Sequence, residues 1–144
     1  MEPSTHSIRL AGPWSVDWIG PDDVPPRILD VRQGTFPVDW TRTFGEIAGT
    51  ARFSRKFNTP TGLSDAHRVW LAIPDYCGML SIELNGRVLA ILPEDKLPVR
   101  LDITDSLQMH NQLALDVTAD PGQCDPTPKT LQPVQLVIVE PTAN

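Results

Sequence analysis

At 144 residues, with 40% hydrophobic and 21% charged residues, the chain has the composition of one globular domain, 1–144 with a core over about 8–140, large enough to bury that core without metal or disulfide staples. Twelve basic against eighteen acidic residues leave a formal charge of −6 and no basic run, which argues against nucleic acid and against an anionic membrane surface, since both need clustered positive charge. The opening MEPSTHSIRLAGPW has neither the basic nor the apolar part of a secretory signal, and no apolar run approaches the ~20 residues of a membrane-spanning helix. With no compartment marked, the cytoplasm is the default.

Proline and glycine cut the chain into short pieces, and the pieces alternate apolar with polar residues. Residues 7–10 and 14–19 read as the first strands, with 28–31 a further candidate. In 50–57, Ala51, Phe53 and Phe57 share one face, opposite Arg52, Ser54 and Lys56. Residues 67–73 do the same with Val69, Leu71 and Ile73. Residues 79–92, MLSIELNGRVLAIL, read as a hairpin turning at Asn85-Gly86, the preferred pair for a two-residue type I′ turn because both central residues need positive φ. An unbroken register then sets Leu84 against Arg87, Ile82 against Leu89 and Leu80 against Ile91, so that Leu80, Ile82, Leu89 and Ile91 share the apolar face. Strands follow at 97–103, 112–118 and 134–140, the last with Val134, Leu136 and Ile138 inward. One helical turn is expected at 104–108, capped by Thr104 and anchored by Leu107. Nine or ten short strands with almost no helix predict an all-β fold, an antiparallel β-sandwich of jelly-roll type. Two segments, 32–49 and 119–133, show no strand or helix pattern; a loop as long as the first is usually functional or mobile.

Residues that carry chemistry are sparse. Asp22-Asp23, Glu94-Asp95 and Asp102/Asp105 fall in turns or at a turn cap, where acids serve local hydrogen bonding, and no acid sits in a glycosidase motif. His6, His67 and His110 are far apart and offer no convergent zinc set, and no serine lies in a nucleophile elbow. Cys77 and Cys124 have no metal-ligand spacing and read as two unrelated thiols, with a pairing between them left open. No catalytic residue, metal ligand or cofactor is nominated. A structural Ca²⁺ held by backbone carbonyls would leave no side-chain signature.

Several of these pieces resemble a known family. Arg9-Leu10-x-Gly12-x-Trp14, Gly49-x-Ala51-x-Phe53-x-Arg55-x-Phe57, Arg68-Val69-Trp70-Leu71, Leu84-Asn85-Gly86 and Asp102-Ile103-Thr104 with Leu107 and Asn111-x-Leu113-x-Leu115-x-Val117 occur in order. They resemble the N-terminal sugar-binding domain of glycoside hydrolase family 2, the β-galactosidases and β-glucuronidases. The resemblance spans roughly 8–140 and implies a galactose-binding-domain-like jelly roll. In that family the domain precedes an immunoglobulin-like domain and a catalytic barrel carrying two glutamates, and neither lies within these 144 residues. Where the family has a Gly-Gly-Tyr-x-Pro-Phe-like segment after the hairpin, this chain has Pro93-Glu94-Asp95-Lys96-Leu97-Pro98, so an aromatic of the ligand side is missing.

Sugars stack on exposed aromatic rings. Trp14, Trp18 and Trp70 sit in strand-like segments and read as packing residues. Trp40, in the long segment with Phe36 and Phe44 and beside Asp39 and Arg42, and Tyr76, beside Asp75, are the loop aromatics. Trp40, Tyr76, Asp39, Arg42 and Asp75 are therefore the candidate ligand-binding residues. The expected role is non-catalytic: a scaffold or protein-interaction module with a protein partner or self-association, the alternative being a carbohydrate-binding module.

Overall fold

The computed structural model describes residues 5–10, 14–20, 48–64, 66–74, 78–93, 96, 98–120 and 134–140, and the backbone of 38–39 and 130–131. The strands, in chain order, are β1 (Thr5–Arg9), β2 (Ser15–Gly20), β3 (Val38–Asp39), β4 (Gly49–Asn58), β5 (Arg68–Ile73), β6 (Met79–Leu84), β7 (Arg87–Leu92), β8 (Val99–Asp102), β9 (His110–Ala119), β10 (Thr130–Leu131) and β11 (Gln135–Val139). All pairings are antiparallel. One sheet runs β2-β4-β9-β6-β7, a second runs β1-β11-β5-β8, and β10 pairs with β3 in a short ladder of its own. The expected β-sandwich is what the chain forms. Among the described residues no helix is long and apolar enough to cross a membrane.

The two-residue period of a strand decides what fills the space between the sheets. Phe53 and Phe57 of β4, Leu80, Ile82 and Leu84 of β6, and Leu113, Leu115 and Val117 of β9 meet Val69, Leu71 and Ile73 of β5 and Leu136 and Ile138 of β11 in one buried cluster. Each such side chain contributes about 1.5–3 kcal/mol on leaving water. The inward sets anticipated for these strands are the ones observed.

β4 shows why its pattern is not uniformly apolar. Gly49 and Arg55 share the parity of Ala51, Phe53 and Phe57. A side chain at Gly49 would stand 2.3 Å from the Trp18 ring and 2.5 Å from the Gly20 carbonyl, so glycine is required by close approach. Further along, the Arg55 guanidinium lies over the ring of Trp14, 5.8 Å from its centroid, and burial pulls its pKa down. Trp14 is buried and donates its indole N–H to the Leu10 carbonyl at 2.8 Å. Trp18 packs against the core from the same sheet.

The hairpin turns where expected, with φ of 54° at Asn85 and 81° at Gly86. Its register differs. Leu84 pairs with Arg87 and Glu83 with Val88, but Ile82 then pairs with Ala90, Ser81 with Ile91 and Leu80 with Leu92. Leu89 is the extra residue of a β-bulge, and every residue after it changes face. Leu92 packs against the core in the place expected of Ile91, and Ile91 is 63% exposed.

Two further expectations need correction. The segments 32–49 and 119–133 are not wholly without strand, because Val38 pairs with Leu131 and Asp39 with Thr130. The turn after β8 is a 3-10 helix, Thr104–Ser106, whose N-cap position is Ile103 and not Thr104, with no side-chain cap bond; the Thr104 N–H, inside the helix, donates to Asp102 Oδ1 at 3.0 Å. The Thr104 hydroxyl is used across the fold, accepting the Val69 N–H at 2.8 Å. Leu107 does pack against the core. The candidate strand at 28–31, Cys77 and Cys124 lie outside the described residues.

Candidate functional site

Of the five candidate ligand residues, Trp40, Arg42, Asp75 and Tyr76 lie outside the described residues. Asp39 is placed by its backbone, on β3 opposite Thr130. That ladder joins the two segments without strand pattern, so the candidate loop has a fixed point one residue before Trp40. Pro74, at the end of β5, is the residue before Asp75. It lines an open groove of about 460 Å³ on the outer face of the four-stranded sheet, with Ser7, Pro98, Arg100, Gln135 and Val137.

A second open groove, about 670 Å³, runs between the stretch after β4 and the 3-10 turn, lined by Thr59, Leu63, His67, Thr104, Asp105 and Met109. Ser64 and His67 adjoin it, with Oγ and Nδ1 2.9 Å apart. This is not the arrangement of a nucleophile and its base. His67 Nδ1 already accepts the Ser64 backbone N–H at 2.8 Å, and the His67 N–H donates to the Ser64 carbonyl, so the pair closes a local turn.

The ionisable groups that do cluster are spent on joining strands. Arg52 of β4 donates from Nε and Nη2 to the two carboxylate oxygens of Asp116 on β9, at 2.7 and 2.9 Å, and approaches Glu83 of β6 at 3.5 Å. The Asp116 hydrogen bond, chiefly, raises the Arg52 pKa further. Arg68 of β5 grips Asp102 Oδ2 with Nε and Nη2 at 2.9 and 2.7 Å, while Oδ1 takes the Thr104 N–H and hydroxyl. Desolvation pulls the Asp102 pKa up, but the Thr104 and Arg68 bonds outweigh it and leave the pKa lowered. A general acid needs the opposite shift. Among the described residues no three His, Cys, Asp or Glu side chains converge to hold a metal ion. His6 lies 3.4 Å from Glu140, and His110 Nδ1 lies 2.8 Å from Asn58 Oδ1.

Two asparagines did not stand out as a pair in sequence. Asn111 is buried, at 2% exposure, and its Oδ1 accepts from the Gln108 N–H and from Asn85 Nδ2. Its Nδ2 donates among the Phe57 carbonyl, Thr59 Oγ1 and the Gln108 carbonyl. Asn85 also donates to the Ser106 carbonyl and accepts the Gln112 N–H. The Leu-Asn-Gly turn is thereby bound to the start of β9, which explains two of the matched motifs through packing. The available signal was Asn111 itself, a polar residue with the parity of Leu113 and Leu115.

No protein-family model matches the chain, and no curated protein matches it. Solved structures do. An FMN-binding β-glucuronidase from Facaelibacterium prausnitzii L2-6 superposes with a TM-score of 0.72 at 20% identity, covering 94% of this chain and 23% of that one. A rhamnosidase from Novosphingobium sp. PP1Y gives 0.70 at 17% identity, with 94% and 15% covered. A putative β-galactosidase from Bacteroides fragilis gives 0.66 at 13%, with 97% and 24% covered. The chain has the fold of one domain of these glycosidases. It spans less than a quarter of the length of each of the three. The motif resemblance to glycoside hydrolase family 2 therefore holds at the level of the fold.

Proposed function

We propose that the chain is a non-catalytic β-sandwich module that acts by contact, as a scaffold or protein-interaction domain. What carries this reading is the coverage: nearly all of this chain corresponds to a small part of each glycosidase it resembles. The use of Arg52, Asp116, Glu83, Arg68 and Asp102 as cross-strand ties supports it. A fold alone does not bring an activity with it. The test is hydrolysis of chromogenic β-glucuronides, β-galactosides and α-rhamnosides by the purified chain. No turnover above the heat-denatured sample is expected. Turnover that disappears when Asp116 or Glu83 is replaced by its amide would overturn the reading.

A second reading, carbohydrate binding, is motivated by the groove that Pro74 helps to line, next in sequence to Asp75, and by the pairing of Asp39 in β3. Trp40 and Tyr76 would stack on sugar faces, and Asp39, Arg42 and Asp75 would bond to hydroxyls. It predicts tryptophan fluorescence changes with mono- or oligosaccharides at about millimolar concentration, lost in Trp40→Ala. Absence of binding across a broad glycan array removes it.

A further inference from the structure

β7 ends the five-stranded sheet among the described residues, and one side of its backbone has no ladder partner there. We infer that this edge is a self-pairing surface, and that its occupant is the β7 of a second copy running antiparallel. The inference deepens the proposed contact role and rests on it by naming the partner.

The argument begins with the bulge. A two-residue turn makes Leu84 and Arg87 a hydrogen-bonded pair, so at the next pair, Glu83 and Val88, the backbone groups of Val88 turn away from β6. Past Leu89, Ile91 stands opposite Ser81. Glu83 and Ser81 are one two-residue repeat apart on β6. Val88 and Ile91 are therefore spaced by one repeat as well, although three positions separate them in sequence. An antiparallel copy can set its Ile91 against Val88 and its Val88 against Ile91, with regular spacing on both strands. The bulge, which shields many sheet edges, is here matched by the same bulge in the partner.

The side chains agree with that register. Val88 and Ile91 lie on the outer face, 56% and 63% exposed, and Met79 of the neighbouring strand is exposed on that face too. β-Branched residues paired across strands are favourable. The charges agree as well. Arg87 opens β7. Antiparallel pairing keeps the two copies of Arg87 at opposite ends of the ladder, whereas in-register parallel pairing would set these like charges side by side.

The test is sedimentation velocity on the full chain from about 1 to 500 µM, in the same preparation assayed for glycoside turnover. A reversible monomer–dimer equilibrium is expected. Ile91→Lys and Val88→Lys should each raise the dissociation constant at least about tenfold, while Met109→Lys, exposed but off this edge, should not. The two lysine variants report independently if one fails to fold. A monomer at all concentrations, or a dimer indifferent to both lysine substitutions, overturns the inference and leaves the contact role to other surfaces. Glycoside turnover would overturn the contact role itself and leave the dimer standing.

Discussion

Asn111 occupies a core-facing position of β9 where the next two inward residues are leucines, and its amide replaces what would otherwise be unpaired backbone. Its partners are the Phe57 and Gln108 carbonyls, the Gln108 N–H, the Thr59 hydroxyl and Asn85. Asn111→Leu keeps the volume and apolar parity yet strips those groups of their partner. The cost of buried, unsatisfied groups dominates, so we predict a loss of about 3 kcal/mol in urea denaturation. A neutral result would mean that water reaches these groups. Asp102 is legible differently, through pH. Its folded pKa is lowered, so its contribution is present above the ordinary carboxylate pKa and is lost as pH falls through the folded value. Arg68 is largely solvated, so the effect is screened and modest. Asp102→Asn should flatten the stability profile below the ordinary carboxylate pKa of about 4 and leave it parallel to the parent above about pH 5. An unchanged acid limb in equilibrium unfolding would contradict the assignment.

At the scale of elements, β6 and β7 separate what alternation reveals from what it hides. Asn85-Gly86 announces the turn through its φ requirement, and Leu80, Ile82 and Leu84 announce the inward face. Nothing in Arg87-Val-Leu-Ala-Ile-Leu92 marks Leu89 as an extra residue, because every side chain from 88 to 92 is apolar and either register looks acceptable. The two-residue ladder of β3 and β10 is hidden for a related reason: two residues cannot display a period. Trp40 and Tyr76 were nominated only as aromatics between strands, and Asp39, Arg42 and Asp75 only as their neighbours in sequence. The register is open to mutation. At concentrations where the chain is monomeric, Ile91→Thr should change stability by no more than about 0.5 kcal/mol, since Ile91 faces solvent. Leu80→Ala, in the buried cluster, should cost about 2–5 kcal/mol. Comparable losses at both positions would restore the unbroken register.

For the molecule as a whole, the pairing of β1 with β11 brings residue 5 opposite residue 139, so the four-stranded sheet cannot form until nearly the whole described chain is in place. The five-stranded sheet has no such closure, but its inward side chains have the other sheet as their only large apolar cover in the described cluster. Neither layer can keep its face buried alone, and the two should open together. The strands with partners on both sides report this most clearly: β9 between β4 and β6, and β11 between β1 and β5. Native-state hydrogen exchange should give the amides of Leu115 and Leu136 the same opening free energy, equal to that of global unfolding. At concentrations where the chain is monomeric, amides of the edge strands β7 and β8 should exchange through smaller openings. If Leu136 exchanged well below the global value while Leu115 did not, the four-stranded sheet would be a separately opening layer, and the single shared core would not be what holds the sandwich closed.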